Sequence, residues 1–242
     1  MRFNSRFLHN SVQFRPTRPR RLLLLLAPLL LLSMTNPLPR VFLIGDSISI
    51  YYTPYLAKYL EGYYTFDRKT GIDESMRNLD IATGANGGDS KMVLDYLTTR
   101  ITDPAFQPDI LLINCGLHDI KRDMVNGTAQ VDSVHYRSNL EEIFTLASRK
   151  KIKVIWISTT PVVDSIHNAK AKDYTRHEKD VEAYNAIAAD ISSRHHATVI
   201  DLFTFTKKLD TTARYYIDHV HFNDATRRLQ AAFIAGYLIG KK

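Results

Sequence analysis

Residues 40–47 read RVFLIGDS, a continuous apolar run that ends in a glycine, an aspartate and a serine. Four further short runs rich in β-branched and large apolar residues follow: NLDIAT at 78–83, DILLINCG at 109–116, KVIWIST at 153–159 and TVIDLF at 198–203. Strands that are covered on both faces are unbroken apolar runs in the sequence, whereas strands with one solvent-exposed face alternate apolar and polar residues. The five runs therefore predict the central strands of a parallel sheet.

The segments between these runs carry apolar residues at helical spacing. They include SKMVLDYLTTRI at 90–101, YRSNLEEIFTLASRKK at 136–151, RHEKDVEAYNAIAADISSRHH at 176–196 and DATRRLQAAFIAGYLIG at 224–240. Alternating strands and helices, without a repeat or low-complexity tract after residue 40, predict a three-layer α/β/α sandwich with a five-stranded parallel sheet. Ligands of such folds bind beyond the carboxyl ends of the strands.

Length and charge predict one folded domain, residues 40–242, behind a separate leader, residues 1–39. The 242-residue chain has a net charge of +7, but residues 1–40 hold seven arginines and no acidic residue. The other 25 basic residues therefore balance the 25 acidic ones in residues 41–242. Because a nucleic-acid footprint needs basic residues clustered on the folded surface, this balance argues against a nucleic-acid partner.

The leader combines a basic stretch with an apolar run from Leu22 to Leu32 that Pro28 interrupts. Such a run is shorter than the ~20 residues of a membrane span and matches the apolar region of a secretory signal. We therefore expect a secreted or periplasmic protein with no stable membrane span in its mature domain. Two alternatives stay open: an arginine-rich organelle transit peptide, or a start at Met34, which would leave the protein cytoplasmic.

Two places near the ends of the domain carry residues suited to nucleophilic catalysis. Ser47 follows the first strand and opens the next helix, although Gly-Asp-Ser is also ordinary turn and N-cap chemistry. YIDHVHFNDATRR at 216–228 places Asp218 and His221 three residues apart before the last helix. A serine needs an imidazole to take its proton and a carboxylate to fix the imidazole's tautomer. Ser47, His221 and Asp218 are therefore candidate nucleophile, base and orienting acid.

The same residues also have interpretations without a catalytic role. Asp218 would then cap a turn, and His221 would be a surface histidine. His219 and His221 also form an H-x-H pair that suits zinc, but no third cluster of ligands with metal spacing is evident. We expect neither a metal nor another cofactor. Cys115 is the only cysteine, so an intramolecular disulfide is excluded.

Two loops that follow predicted strands offer hydrogen-bond donors for a developing oxyanion. In GANGGDS at 84–90, Gly87 and Gly88 allow a tight turn that exposes a backbone N–H before a helix. In NCGLHD at 114–119, His118 and Asp119 reach the same edge of the sheet. Each loop alone is also consistent with a plain turn or cap. Their shared position at the carboxyl edge favours one site.

Together these blocks resemble the SGNH hydrolase family, also called GDSL esterases and lipases, in order over residues 41–223. The resemblance implies a flavodoxin-like SGNH hydrolase fold and assigns the nucleophile to Ser47, whose N–H also serves the oxyanion hole. It assigns a second oxyanion donor to the N–H of Gly88. The family's D-x-x-H element falls on Asp218 and His221, which selects His221 over His219 as the base.

The third block departs from the family pattern. Where the family usually has G-x-N-D, with the asparagine side chain as an oxyanion donor, this chain reads Gly116-Leu117-His118-Asp119. A neutral histidine donates one N–H, so we expect His118 to replace the asparagine, with a nearby carboxylate or carbonyl setting its tautomer. An imidazolium at this position would make activity sensitive to pH.

The resemblance implies a serine ester hydrolase that acts through an acyl-serine intermediate. The polar segments after the strands, such as residues 161–175, favour a small acyl group, acetyl first, on a carbohydrate or other polar carrier. One alternative is a lysophospholipase or thioesterase that acts on longer acyl chains. Another, from a different class, is a catalytically silent carbohydrate-binding module on the same fold.

Overall fold

The computed structural model describes residues 37–209 and 213–240. Almost all of the predicted leader, residues 1–39, lies outside them. Within the described residues no helix combines the length and the apolar character that a membrane crossing requires.

The strands of the described residues are β1 (Arg40–Ile44), β2 (Thr65–Arg68), β3 (Ile110–Ile113), β4 (Arg122–Asp123), β5 (Lys153–Ile157), β6 (Tyr174–Thr175) and β7 (Thr198–Ile200). Five of them form a parallel main sheet, as the sequence predicts, and the structure places them in the order β2-β1-β3-β5-β7. The other two, β4 and β6, form a separate antiparallel pair that joins two loops beyond the sheet.

Helices cover both faces of the sheet. They are α1 (Ser47–Leu60), α2 (Ile72–Ser75), α3 (Ser90–Arg100), α4 (Ser133–Arg149), α5 (Asp164–Lys170), α6 (Glu178–Arg194), α7 (Leu202–Leu209) and α8 (Asp224–Ile239), with a 3-10 turn at Ala213–Tyr215. α1 packs against α8, while α3, α4 and α6 pack side by side. The connection from β1 to β2 runs one way across the sheet, and the later connections run the other way. Because such connections are right-handed, their helices lie on opposite faces of the sheet. The three-layer prediction is confirmed.

α4 shows how the sequence pattern builds these layers. Asp132 caps the helix, because its Oδ1 accepts hydrogen bonds at 2.9 Å from the N–H groups of Val134 and His135. The buried side chains recur at helical spacing along one face: Tyr136, Leu140, Ile143, Phe144 and Ala147. The same stripe of apolar residues was the basis for predicting this helix.

The prediction of a strand at 78–83 is wrong. These residues form turns, and the side chain of Ile81 is 54% exposed. The second strand is instead β2, which lies at the edge of the sheet and pairs only with β1. An edge strand is partly solvated, so it needs no continuous apolar run. The polar segment TFDR at 65–68 therefore carries no strong signal in the sequence.

Three loops meet beyond the carboxyl ends of the central strands. The loop after residue 83 reaches the end of β1 through a parallel bridge between Gly45 and Asn86, although the segment directly before the loop is not a strand. The loop after β3 turns at Gly116, whose φ of +147° favours glycine. A Cβ added at Gly116 would collide with the side-chain oxygen of Thr159, which itself donates a hydrogen bond to the carbonyl of Cys115 at 3.0 Å. The loops after β3 and β5 are therefore in direct contact.

Candidate active site

Ser47 is the first residue of α1 and lies directly beyond β1. Asp46 caps the helix: its Oδ1 accepts hydrogen bonds from the N–H of Ile48 at 3.0 Å and of Ser49 at 3.4 Å. The N–H of Ser47 makes no hydrogen bond to another residue within the described ranges, as is usual in a first helical turn. Because a helix N-terminus carries partial positive charge, Ser47 combines a hydroxyl group with a donor suited to an anion.

His221 connects this serine to Asp218. Its Nε2 lies 2.8 Å from Oγ of Ser47, and its Nδ1 lies 2.6 Å from Oδ2 of Asp218. Ser47 is 4% exposed and His221 is 2% exposed, so the surrounding protein shields the contact between them from solvent. Both distances fall within the hydrogen-bond reach of a nucleophile, its base and an orienting acid. The structure thus brings the three predicted residues together in one continuous series of hydrogen bonds.

Asp218 is oriented by its own turn. Its Oδ1 accepts hydrogen bonds from the N–H groups of Val220 and His221, both at 2.8 Å. Burial raises the pKa of Asp218, but the hydrogen bond and charge of His221 and the two N–H groups outweigh burial and hold this pKa below its usual range. The carboxylate therefore stays ionised and fixes a proton on Nδ1 of His221, which leaves Nε2 as the acceptor for the serine.

An aromatic ring packs against the base. Tyr51, one turn after Ser47 on α1, meets His221 edge-on with ring centroids 5.3 Å apart. The guanidinium carbon of Arg227 lies 3.5 Å from the centroid of the Tyr51 ring. Arg227 in turn donates from Nε to the carbonyl of Phe222 at 2.6 Å. These contacts restrict the tilt of the His221 imidazole.

Gly88 lies in the loop that bridges to β1. Its φ of +73° favours glycine, and an added Cβ would lie 2.8 Å from Cβ of Ala82. Its N–H donates to Oδ1 of Asn86 at 3.0 Å. The donor predicted for the oxyanion is therefore engaged within its own loop, and its role in catalysis stays a prediction.

His118 is only 3% exposed, and its ring has no hydrogen-bond partner in the part of the chain that the structure describes. Burial, together with the nearby charges of Lys121 and Arg176, holds the pKa of His118 well below its usual range. The ring is therefore neutral and has one N–H to donate. The expected carboxylate or carbonyl that would select its tautomer is not found among the described residues.

Asp119 connects the two oxyanion loops, a contact that the sequence did not reveal. Its Oδ1 accepts a hydrogen bond from the N–H of Ser90 at 2.9 Å, two residues after Gly88. The carboxyl group is fully buried, and its Oδ2 has no partner among the described residues. This burial raises the pKa of Asp119 to about 7, against opposing hydrogen bonds from Ser90.

Arg176, which directly follows β6, supports the loop that carries His118. The side chain is 2% exposed, and its Nε donates to the carbonyl of Leu117 at 2.6 Å. Its guanidinium carbon also lies 4.8 Å from the centroid of the Tyr174 ring. No motif in the sequence marks Arg176, because its partner is a backbone carbonyl 59 positions away.

His219 takes no part in the contact between Ser47 and His221. Its Nε2 lies 3.1 Å from Oδ1 of Asp80, and its Nδ1 lies 2.9 Å from Nδ1 of His167. The rings of His219 and His221 are 6.2 Å apart, and each contacts a different carboxylate. Across residues 37–209 and 213–240, no group of three or more His, Cys, Asp or Glu side chains is placed to hold a metal ion.

Comparisons with known proteins identify the family of this chain and support its fold. A sequence model of the GDSL-like lipase/acylhydrolase family matches residues 43–229. No curated protein sequence matches the chain.

Several solved structures share the fold. An acetyl xylan esterase is 16% identical, with a TM-score of 0.60 over 82% of this chain and 98% of its own. A lipase/acylhydrolase from Enterococcus faecalis is 16% identical, with a TM-score of 0.59 over 84% of this chain and 97% of its own. A GDSL-like lipase from Bacteroides thetaiotaomicron is 16% identical, with a TM-score of 0.57 over 84% and 89%. At these identities the likeness shows the fold alone. Because the family model spans most of the sequence, the chain belongs to the GDSL-like lipase/acylhydrolase family, a family of ester hydrolases.

Proposed function

We propose that this protein is a serine esterase that removes a small acyl group, acetyl first, from a polar carrier. The observation that supports catalysis most directly is the continuous hydrogen-bonded chain from Oγ of Ser47 through His221 to Asp218. In the proposed reaction Nε2 of His221 takes the serine proton while Oγ attacks the ester carbonyl carbon. The carbonyl π electrons move to oxygen, and a tetrahedral intermediate forms.

The oxyanion would accept hydrogen bonds from the N–H of Ser47, the N–H of Gly88 and the neutral ring of His118. For Gly88 this requires its N–H to be shared with, or released from, the side chain of Asn86. Collapse of the intermediate returns the proton from His221 to the departing alcohol and leaves an acyl-serine. Water, deprotonated by the same imidazole, then attacks the acyl-serine, and the acid is released with Ser47 regenerated.

The preference for a small acyl group rests on how enclosed the site is. Ser47, His118 and His221 are each less than 5% exposed. A long acyl chain would need an apolar channel that leads to Oγ of Ser47, whereas an acetyl methyl group needs only the space beside it. Lysophospholipase or thioesterase action is therefore the weaker alternative.

A series of p-nitrophenyl esters tests this proposal, using a chain that begins near Met34. We expect the acetate to be hydrolysed with the highest kcat/KM, with values that fall as the acyl chain lengthens. Ser47→Ala should lower kcat on the acetate by about 10⁴-fold or more. Equal rates for the wild type and Ser47→Ala would overturn the esterase proposal and favour a silent binding module. Rates that rise with chain length would favour the lipid-directed alternative.

A further inference from the structure

A cavity of about 340 Å³ lies beside the loop that carries Asp218, His219 and His221, which we call the catalytic loop, and neither Ser47 nor His221 lines this cavity. Its lining includes Asp80, Lys170, Ala171, Tyr174 and His219. Such a volume lies within the range of small-molecule sites. We refer to it as the Asp80 cavity.

Asp80 belongs to a hydrogen-bonded chain that reaches into the core. It accepts hydrogen bonds from the hydroxyl of Tyr174 at 3.0 Å and from Nε2 of His219 at 3.1 Å. His219 therefore carries its proton on Nε2 and accepts at Nδ1 from Nδ1–H of His167, 2.9 Å away. Nε2 of the fully buried His167 is then an acceptor without a partner among the described residues. Burying such an acceptor costs less free energy than burying an unpaired N–H. These hydrogen bonds hold the His219 ring in a fixed position at the wall of the cavity.

The Asp80 cavity adjoins the base side of the catalytic site. Nζ of Lys170 donates to the backbone carbonyl of Asp218 at 3.3 Å, and His219 is two residues from His221. In acyl transfer the base returns its proton to the leaving oxygen, so the alcohol part of the ester must lie on the His221 side of Ser47. The carbonyl oxygen of the ester points away from His221, towards the oxyanion donors. A cavity on the His221 side is placed for the alcohol.

The lining indicates which kind of alcohol fits. Two cations, Lys170 and Lys172, face two carboxylates, Asp80 and Asp173, so the cavity presents no net charge to select an anion. The Tyr174 ring is already covered by cations, with Nζ of Lys121 4.5 Å and the guanidinium carbon of Arg176 4.8 Å from its centroid. A ring so occupied is a poor site for a quaternary ammonium headgroup. Charged donors and acceptors suit neutral hydroxyl groups instead.

We propose that the Asp80 cavity binds a neutral, polyhydroxylated alcohol, that is, the saccharide part of an acylated carbohydrate. Asp80 accepts hydrogen bonds from sugar hydroxyls, and Lys170 donates to them. His219 is held in place by Asp80 and His167, and its ring lines the wall next to the catalytic loop. The inference rests on the proposed esterase activity for its place in catalysis, but sugar binding is measurable without it.

The test compares two substrates of the same acyl group. One is an acetylated xylo-oligosaccharide, and the other is p-nitrophenyl acetate, whose alcohol has no sugar hydroxyls. The quantity measured is the ratio of kcat/KM for the oligosaccharide to that for p-nitrophenyl acetate. Ala171→Trp places an indole in the cavity at an extended, half-buried position where the backbone accepts any side chain. We expect it to lower the ratio at least tenfold.

Asp80→Asn keeps the size of the side chain but removes its charge. We expect about a tenfold lower ratio, mainly through KM, because a hydrogen bond to a charged group is lost. Asp95→Asn, on the exposed surface of α3, is the matched control and should leave the ratio unchanged. If Asp80→Asn and Ala171→Trp lower both activities equally, the cavity only positions the catalytic loop and the proposal is overturned.

Binding separates this proposal from the esterase proposal. Calorimetric titration of the Ser47→Ala protein with a non-acetylated xylo-oligosaccharide should show binding that Ala171→Trp abolishes in the same background. That result supports the cavity even if Ser47→Ala fails to reduce ester hydrolysis. Absence of binding to the Ser47→Ala protein, or binding unchanged by Ala171→Trp, overturns the proposal.

Discussion

The two halves of the candidate active site are built differently. On the base side, both nitrogens of His221 and both carboxylate oxygens of Asp218 have hydrogen-bond partners within 2.8 Å. On the oxyanion side, the ring of His118 has no partner among the described residues, and the N–H of Gly88 is bound to Asn86. The proton-transfer chain is therefore assembled before substrate arrives, whereas the oxyanion donors are held mainly through their backbones.

This difference shows where the site gains its rigidity. The oxyanion loops are fixed from behind, by the bond between Asp119 and Ser90 and by the bond from Arg176 to Leu117. A group without its own hydrogen-bond partner is free to bind the charge that develops in the transition state. The base, by contrast, must keep one tautomer throughout the reaction.

Asp218→Asn should have the largest effect, because it breaks the assembled side. An amide in this position no longer holds the proton on Nδ1 of His221, so Nε2 ceases to be the acceptor for the serine. We expect kcat on p-nitrophenyl acetate to fall by about 10⁴-fold. The free energy of unfolding should be measured alongside, since a folded but inactive variant is required. A loss below tenfold in the folded variant would remove Asp218 from the mechanism.

Substitutions of His118 probe the open side. His118→Ala removes one oxyanion donor and should lower kcat by about 10² to 10³-fold. His118→Asn restores an amide donor of the kind the family usually has at this position, and it should largely keep the activity. Steady-state kinetics on an activated acetate ester distinguish the two variants. Unchanged rates in both would show that His118 does not contact the oxyanion.

Asp119→Asn tests the support behind the oxyanion loops. Because burial raises the pKa of Asp119 from 3.8 to about 7, the folded protein holds this proton more tightly than the unfolded chain. Its stabilising contribution is complete below pH 4 and is lost as the pH rises to about 7. Between pH 5 and pH 8 the wild type should therefore lose about 2–3 kcal/mol of unfolding free energy relative to Asp119→Asn. Urea denaturation at both pH values measures this difference. If the two proteins differ in unfolding free energy by the same amount at both pH values, the raised pKa of Asp119 is contradicted.

The smallest effect concerns the pH dependence of catalysis. The neutral state of His118 predicts that it adds no limb to the pH profile of kcat/KM, contrary to what an imidazolium at this position would cause. The profiles of the wild type and His118→Asn should therefore have the same shape from pH 5 to pH 8 and differ only in height. A limb present in the wild type and missing in His118→Asn would show that the histidine titrates.

Sequence reasoning worked where chemistry is encoded locally. Ser47 follows a buried strand, and Asp218 and His221 share one turn, so spacing and residue type make them candidates. The family resemblance then selects His221 over His219. Four helices, α3, α4, α6 and α8, are predictable because an apolar stripe repeats at helical spacing. The edge strand β2 was missed because a partly solvated strand needs no apolar run, and the apolar residues in the turns at 78–83 were mistaken for a strand.

Contacts across long stretches of chain left no such signal. Arg176 binds a backbone carbonyl, so no particular residue type is required at its partner, Leu117. The bond between Asp119 and Ser90 likewise joins a side-chain carboxyl group to a backbone N–H. The pairing of His219 with Asp80 spans 139 positions, and the H-x-H pattern around His219 gives no sign of it. Only the folded arrangement brings these groups together.

The turn at Gly116 sets a limit for laboratory evolution of this enzyme. Any side chain at this position would strike Thr159 and would also have to adopt a backbone conformation that L-residues avoid. A saturation library at position 116 should therefore return almost only the parental glycine. The lining of the Asp80 cavity carries no such restriction at Ala171, so diversity aimed at other alcohol parts of the ester is better introduced there.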